Sequence, residues 1–276
     1  MKFVSDNRAS RILYNLLASN SFEKPFLAPA NVCEVIPQVF NEANVRIDFW
    51  DIDNTQYCLD INHFLGDLND YSGALFVHTY GVERGNEGLF KRIKDCFPSF
   101  VIIDDRCLCT PSVEEPSTSA DVCLYSVGEK KQVDLGKGGL AYIQCGLNYK
   151  RCALVSDSFM DDSVWVYNSQ TIIDKTNESI RHRELINTIY KSRLPHRVQL
   201  DNCFQNWRFN IYVDDKDAVL QALFNQGLFA SSHYRPIVSY CRNANDLHNH
   251  IVNLFNDFHY NEEMAVETCK VINSVI

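Results

Sequence analysis

The feature that most constrains the fold is a series of three short apolar runs, each bordered by polar or glycine residues. The runs are residues 100–103, 122–125 and 140–143. Asp104 and Asp105 follow the first run directly, and Ser126 follows the second. Apolar runs of this length are typical of buried strands. Because ligands of open α/β sheets bind at the carboxyl ends of the strands, these polar residues predict a site at one edge of a sheet.

A lysine pair and a glycine-rich turn lie between the second and third runs. Lys131 comes five residues after Ser126, and Gly-Lys-Gly-Gly occupies residues 136–139. A lysine forms an imine with a carbonyl compound only when its amine is neutral, and a neighbouring cation such as Lys130 favours the neutral form. Judged on residue type alone, the alternative is a solvated surface turn, since lysine is seldom buried.

The first half of the chain alternates between predicted strands and predicted helices. The further strands are residues 26–29, 45–53 and 74–78, and the helices are residues 5–19, 31–41 and 87–96. Such alternation predicts an α/β fold, in which a mainly parallel sheet has helices on both faces.

The pattern changes after Gln144. Here the predicted helices are residues 177–194, 215–226, 246–255 and 262–276, and one strand is predicted at residues 207–213. The loss of regular alternation indicates a boundary near residue 145.

Composition and charge exclude several classes of protein. The chain has 276 residues, is 46% hydrophobic and carries a net charge of −9, so it lacks the basic footprint of a nucleic-acid-binding protein. No apolar run approaches the roughly 20 residues of a membrane span, and the first residues lack the apolar core of a signal peptide. The eleven cysteines include no C-x-x-C pair, which favours a reducing cytoplasm and gives no zinc motif. We therefore expect a cytoplasmic protein without a metal site.

The order and spacing of these residues resemble the DegT/DnrJ family of sugar aminotransferases, which use pyridoxal phosphate (PLP) on the fold-type-I scaffold. The resemblance implies that Asp105 meets the pyridine nitrogen, that Ser126 helps to hold the phosphate, and that Lys131 binds the cofactor covalently. It also implies a large PLP-binding α/β domain in residues 1–145. A connecting segment and a small C-terminal α+β domain would then occupy residues 146–276.

The resemblance assigns a second group of residues to the cofactor phosphate. Asn7, Arg8 and Ala9 stand where the family has the first helical turn that binds this group. Helix N-termini bind phosphate through free N–H groups, and an arginine adds charged donors. A solvated Arg8 in the first turn is the alternative on residue type alone.

Two cofactor positions depart from the family pattern. Cys33 falls where an aromatic residue usually stacks on the ring, and Leu108 falls where Gln or His is usual. On the substrate side, the resemblance implies roles for His78, His233 and Tyr234. For His78, a packed and hydrogen-bonded histidine at a strand end is the alternative.

The resemblance implies an amino-group transfer. The donor would be an amino acid such as glutamate, and the acceptor a nucleotide-linked keto-sugar in polysaccharide or glycoconjugate biosynthesis. A homodimer is expected, as in the family. The alternative is a non-catalytic relative that uses the fold for binding or assembly, favoured by Cys33 and Leu108. A generic dinucleotide binder is disfavoured because no G-x-G-x-x-G follows the first strand.

Overall fold

The computed structural model describes residues 1–59, 65–83, 85–153 and 165–276. Its larger sheet has seven strands. These are β1 (Lys2–Asp6), β2 (Phe26–Pro29), β3 (Ile47–Trp50), β4 (Gly73–Val77), β5 (Val101–Asp105), β6 (Val122–Ser126) and β7 (Gly139–Ile143). Their order is β1-β7-β6-β5-β4-β2-β3. The strands β2 to β6 are parallel, whereas β7 is antiparallel to both β1 and β6.

Helices cover both faces of this sheet, which confirms the predicted α/β fold. They are α1 (Ala9–Ala18), α2 (Val35–Glu42) and α3 (Glu87–Cys96). The apolar stripe of α1, which includes Ile12 and Leu16, belongs to one core cluster with α2. Phe90 and Ile93 of α3 belong to a second cluster on the other face. Full burial of each such side chain contributes about 1.5–3 kcal/mol, so the apolar spacing of these helices decides which face they bury.

A smaller antiparallel sheet lies in the C-terminal part of the chain. Its strands are β8 (Phe209–Tyr212), β9 (Ala230–Ser231) and β10 (Ile251–Leu254), in the order β8-β10-β9. The accompanying helices are α4 (Ser169–Arg193), α5 (Lys216–Asn225), α6 (Arg242–His250) and α7 (Glu262–Asn273). A third core cluster joins this sheet to α4 and α7. None of the helices in the described ranges is long and apolar enough to cross a membrane.

The prediction of one helix over residues 246–255 is wrong. The helix α6 ends at His250, and the next four residues form β10 in the middle of the smaller sheet. The amide of Asn253 explains why a polar residue is tolerated there, since its Nδ2 donates to Oδ1 of Asn210 on β8 (2.6 Å). Pairing with distant strands decides this segment, and local periodicity does not reveal it.

The start of the chain also differs from the prediction. The helix predicted from residue 5 begins at Ala9, and the residues before it form β1, which pairs with β7. Gly139 on β7 allows the close approach of α1, because a Cβ atom there would lie 2.3 Å from the backbone nitrogen of Ala9. The N-terminus of α1 is thereby placed beside the carboxyl ends of the parallel strands.

Candidate active site

A cavity of about 360 Å³ lies where the carboxyl ends of β4, β5 and β6 meet the N-terminus of α1. Nine of the eleven residues that the resemblance assigns to the cofactor or the substrate line it. They are Arg8, Ala9, Cys33, His78, Asp105, Leu108, Ser126, Lys131 and Tyr234. The other two assigned residues, Asn7 and His233, are described by the structure but lie outside this lining. A volume of this size is ordinary for a small-molecule site.

The N-terminus of α1 forms one end of the cavity. Arg8 is the N-cap residue, with extended backbone (φ −150°, ψ 149°) and no side-chain cap, and its exposed side chain borders the cavity. Ala9 and Ser10 follow in the first turn. The first N–H groups of a helix have no partner within the helix and favour an anion. This end of the cavity therefore suits a phosphate group.

Asn7 and Ser10 differ from the sequence prediction. Asn7 is buried behind the cavity, and its carbonyl accepts a hydrogen bond from the backbone N–H of Gly138 (2.7 Å). Ser10 lines the cavity and was missed. The physical reason for both is the start of α1 at Ala9, two residues after Asn7, so the first turn lies farther along the chain than predicted. The helical spacing of the apolar residues did not locate that start.

The two acids at the end of β5 have different surroundings. Asp104 is fully buried, and its Oδ2 accepts a hydrogen bond from Nε of Arg106 (2.6 Å). Asp105 borders the cavity, and its Oδ1 accepts a hydrogen bond from the backbone N–H of Cys107 (2.9 Å). Asp105 is therefore the carboxylate that can contact a ligand.

His78 borders the cavity with both ring nitrogens engaged inside the protein. Nδ1 donates to the carbonyl of Val82 (2.6 Å), and Nε2 lies 2.7 Å from Oδ1 of Asp104. His78 is thus the packed, hydrogen-bonded histidine that the sequence left as an alternative. It helps to shape the cavity, but it presents no ring nitrogen to a substrate.

Lys131 lies in the loop between β6 and β7. Its side chain is half-buried and borders the cavity, and the more exposed Lys130 lines the same cavity. Lys130 has a left-handed backbone (φ +59°), and its N–H donates to Oδ2 of Asp134 (2.7 Å). Ser126 is buried at the end of β6, and its Oγ accepts a weak hydrogen bond from the N–H of Gly128 (3.4 Å). The five-residue spacing between Ser126 and Lys131 brings both to the same cavity.

Two other acidic groups at the cavity stay protonated at neutral pH. Burial, followed by the charge of Asp105, raises the pKa of the Cys107 thiol well above its usual value. Burial also raises the pKa of the Tyr234 phenol well above its usual value. Neither group can act as a base at neutral pH.

The remaining predicted residues lie in apolar or aromatic surroundings. Leu108 is buried, and Cys33 is exposed at the cavity. The ring of His233 contacts that of Trp207, with centroids 5.5 Å apart. Tyr80 donates from its hydroxyl to the carbonyl of His233 (2.7 Å). His233 thus supports the cavity wall that Tyr234 forms.

No family profile matches the chain, and no curated protein is similar to it in sequence. Solved structures resemble it over nearly the whole length. The sugar aminotransferase CalS13 of Micromonospora echinospora superposes with a TM-score of 0.76 at 17% identity, covering 99% of this chain and 87% of CalS13. The chain thus shares the fold of this sugar aminotransferase. The PLP form of Spr1654 of Streptococcus pneumoniae gives 0.77 at 15% identity, covering 100% and 88%. A DegT DnrJ EryC1 StrS aminotransferase of Brucella abortus gives 0.70 at 12% identity, covering 99% and 86%.

The residues around the cavity fit PLP. Its phosphate matches the N-terminus of α1 with Arg8, its pyridine nitrogen matches the carboxylate of Asp105, and its aldehyde matches an amine such as that of Lys131.

Proposed function

We propose that the protein is a PLP-dependent sugar aminotransferase of the DegT/DnrJ type. It would move an amino group from an amino acid such as glutamate to a nucleotide-linked keto-sugar. The observation that carries the proposal is the convergence of Lys131, Asp105 and the N-terminus of α1 on one cavity. The fold shared with CalS13 and Spr1654 supports it.

When bound, PLP supplies an electron sink for charge that develops at the substrate carbon. Asp105 would keep a proton on the pyridine nitrogen, which the sink requires. Lys131 would bond to the cofactor aldehyde and later move the proton at the reacting carbon. Arg8, Ser126 and the first turn of α1 would hold the phosphate. Tyr234 would form the wall next to the substrate.

Reconstitution with PLP tests the proposal. The protein should acquire a visible absorbance band that borohydride removes, and mass spectrometry should then find the pyridoxyl adduct on Lys131. The variant Lys131→Ala should lose the band, whereas the matched variant Lys130→Ala should keep it. An adduct on Lys130, or no adduct in a PLP-saturated sample, would contradict the assignment of Lys131.

A non-catalytic relative that binds the cofactor without turnover is the second candidate. It is favoured by Cys33 and Leu108, which stand where an aromatic and a polar residue are expected. Adding glutamate to the PLP-loaded protein separates the two candidates. An enzyme should lose the visible band and release 2-oxoglutarate, whereas a binding protein should keep the band.

A homodimer is part of the proposal, because members of the family build the site between two subunits. Light scattering of the PLP-loaded protein should give twice the mass of the chain. A mass equal to that of one chain would contradict the proposed homodimer.

A further inference from the structure

Three consecutive peptide carbonyls around Lys131 each accept a hydrogen bond from a side chain in the C-terminal half of the chain. The bonds run from Trp207 Nε1 to Lys130 (2.7 Å), from Arg183 Nη2 to Lys131 (3.1 Å) and from Ser179 Oγ to Gln132 (2.5 Å). We call the three donor residues the carbonyl clamp. Two of them lie on α4, and Trp207 lies just before β8.

The donors of the carbonyl clamp are buried and connected to one another. Trp207, Arg183 and Ser179 are each at most 5% exposed. Arg183 also donates through Nη1 to the carbonyl of Trp207 (2.5 Å) and through Nε to Oγ of Ser179 (3.1 Å). Burial, followed by the charge of Arg208, lowers the pKa of Arg183 to about 10. The guanidinium therefore stays charged at neutral pH and retains all its donors.

The backbone that the clamp holds is strained at Lys130. Its positive φ is uncommon for a residue with a side chain and persists where the surroundings enforce it. The hydrogen bond from Trp207 fixes the peptide plane between Lys130 and Lys131, and the one from Arg183 fixes the next plane. The direction in which the Lys131 side chain leaves the backbone is thereby set from both sides.

Trp207 also connects this loop to the opposite wall of the cavity. Its indole ring contacts His233, the residue before Tyr234, and the guanidinium of Arg208 lies 4.9 Å from the ring. One aromatic residue thus touches the supports of both Lys131 and Tyr234, which border the same cavity.

We infer that Trp207, Arg183 and Ser179 are positioning residues, which aim the amine of Lys131 at the cofactor aldehyde. The inference rests on the proposed function. Bond formation requires the reacting atoms to be held in a narrow geometry, and small misplacements reduce the rate by as much as about a hundredfold. A lysine side chain has many rotamers, so its fixed starting point is the backbone that the clamp holds.

The variant Trp207→Phe tests this role because it removes the N–H donor and keeps an aromatic ring against His233 and Arg208. On mixing with PLP, its borohydride-trappable bond should form roughly ten- to a hundredfold more slowly than in the parent. Affinity for pyridoxamine 5′-phosphate should be unchanged, because this ligand has no aldehyde and forms no bond with Lys131. Ser179→Ala, which frees the carbonyl one residue farther along, should slow the bond less. Trp50→Phe on β3 is the matched control and should behave as the parent.

Two outcomes would overturn the inference. In one, Trp207→Phe bonds PLP at the parent rate. In the other, it loses affinity for both ligands equally, which would indicate a general structural role.

If the parent itself binds neither ligand, the proposed function fails, and a cofactor-free measurement decides the positioning role separately. Acetic anhydride should then label Lys131 faster in Trp207→Phe than in the parent, with labelling of Lys137 unchanged. Equal labelling of Lys131 in the two proteins would refute the inference.

Discussion

The imidazole of His78 and the carboxylate of Asp104 form a fully buried pair, with Nε2 and Oδ1 2.7 Å apart. The next residue, Asp105, borders the cavity instead. Because successive residues of a strand point to opposite faces, two adjacent acids at one strand end have different surroundings. Asp104 belongs to the packing beneath the site, and Asp105 belongs to the site.

Substitution of the two acids should therefore have different effects. Asp105→Asn should weaken PLP binding and shift the spectrum of the bound cofactor, with little change in stability. Asp104→Asn should lower the free energy of unfolding by about 3 kcal/mol, because it leaves the buried His78 and the partly buried Arg106 without their carboxylate. Denaturant unfolding and PLP titration of both variants provide the measurements. Equal effects on PLP binding would show that the pyridine partner is misassigned.

Arg8 should contribute to binding through the cofactor phosphate. A charge-assisted hydrogen bond contributes about 1.5–3 kcal/mol, so Arg8→Ala should weaken PLP binding by roughly 10- to 150-fold. Binding of pyridoxal, which lacks the phosphate, should be insensitive to the change. The exposed Arg46, whose Nη2 donates to the carbonyl of Glu23, offers a control, and Arg46→Ala should bind PLP as the parent does. If Arg8→Ala holds PLP as tightly as the parent, the phosphate is bound elsewhere.

His233 should make the stability depend on pH. Burial, followed by the charge of Arg208, lowers the pKa of His233 from 6.5 to about 4. The unfolded chain takes up a proton below pH 6.5 and the folded chain only near pH 4, so the folded state loses stability as the pH falls through this window. At about 1.4 kcal/mol per pH unit, the loss is at most about 3 kcal/mol.

The variant His233→Phe should lack this loss of stability at acidic pH. The difference in the free energy of unfolding between parent and variant should therefore change by up to about 3 kcal/mol between pH 7 and pH 4, with the parent losing more. The exposed His196 provides the control, and His196→Phe should follow the parent over the same range. Parallel pH profiles of the parent and the His233→Phe variant would contradict a His233 that stays neutral in the folded protein at pH 5 to 6.

Gly139 should be needed for the contact between β7 and α1. In Gly139→Ala, the added Cβ would lie 2.3 Å from the nitrogen of Ala9, so the helix must move. Such overpacking costs about 1–3 kcal/mol, and the displaced N-terminus should also bind PLP more weakly. Gly146→Ala is the matched control, because a Cβ there meets no atom within 4 Å. Unfolding and PLP titration of both variants check the prediction, and equal stability of the two would contradict it.

Local sequence determined the bounds of three strands of the larger sheet and of one helix packed against it. The strands β5, β6 and β7 lie within a residue or two of the predicted apolar runs, and α3 has the predicted bounds. Their apolar periodicity is carried by neighbouring residues, so a single sequence reveals it. Asp105 and Ser126 at the strand ends and Lys131 in the following loop line one cavity, and their order and spacing are visible in the sequence.

Tertiary structure alone decided the features that depend on distant partners. The sequence of β10 predicts the continuation of a helix, but the segment forms a strand because it pairs with β8 and β9. In the same way, β1 is a strand because it pairs with β7. The burial of Asn7, the contact of His233 with Trp207, and the hydrogen bond from Arg183 to the carbonyl of Lys131 also depend on distant partners. The physical reason is that hydrogen-bond partners far apart in the chain leave no periodic signal at either position, so only the folded chain brings them together.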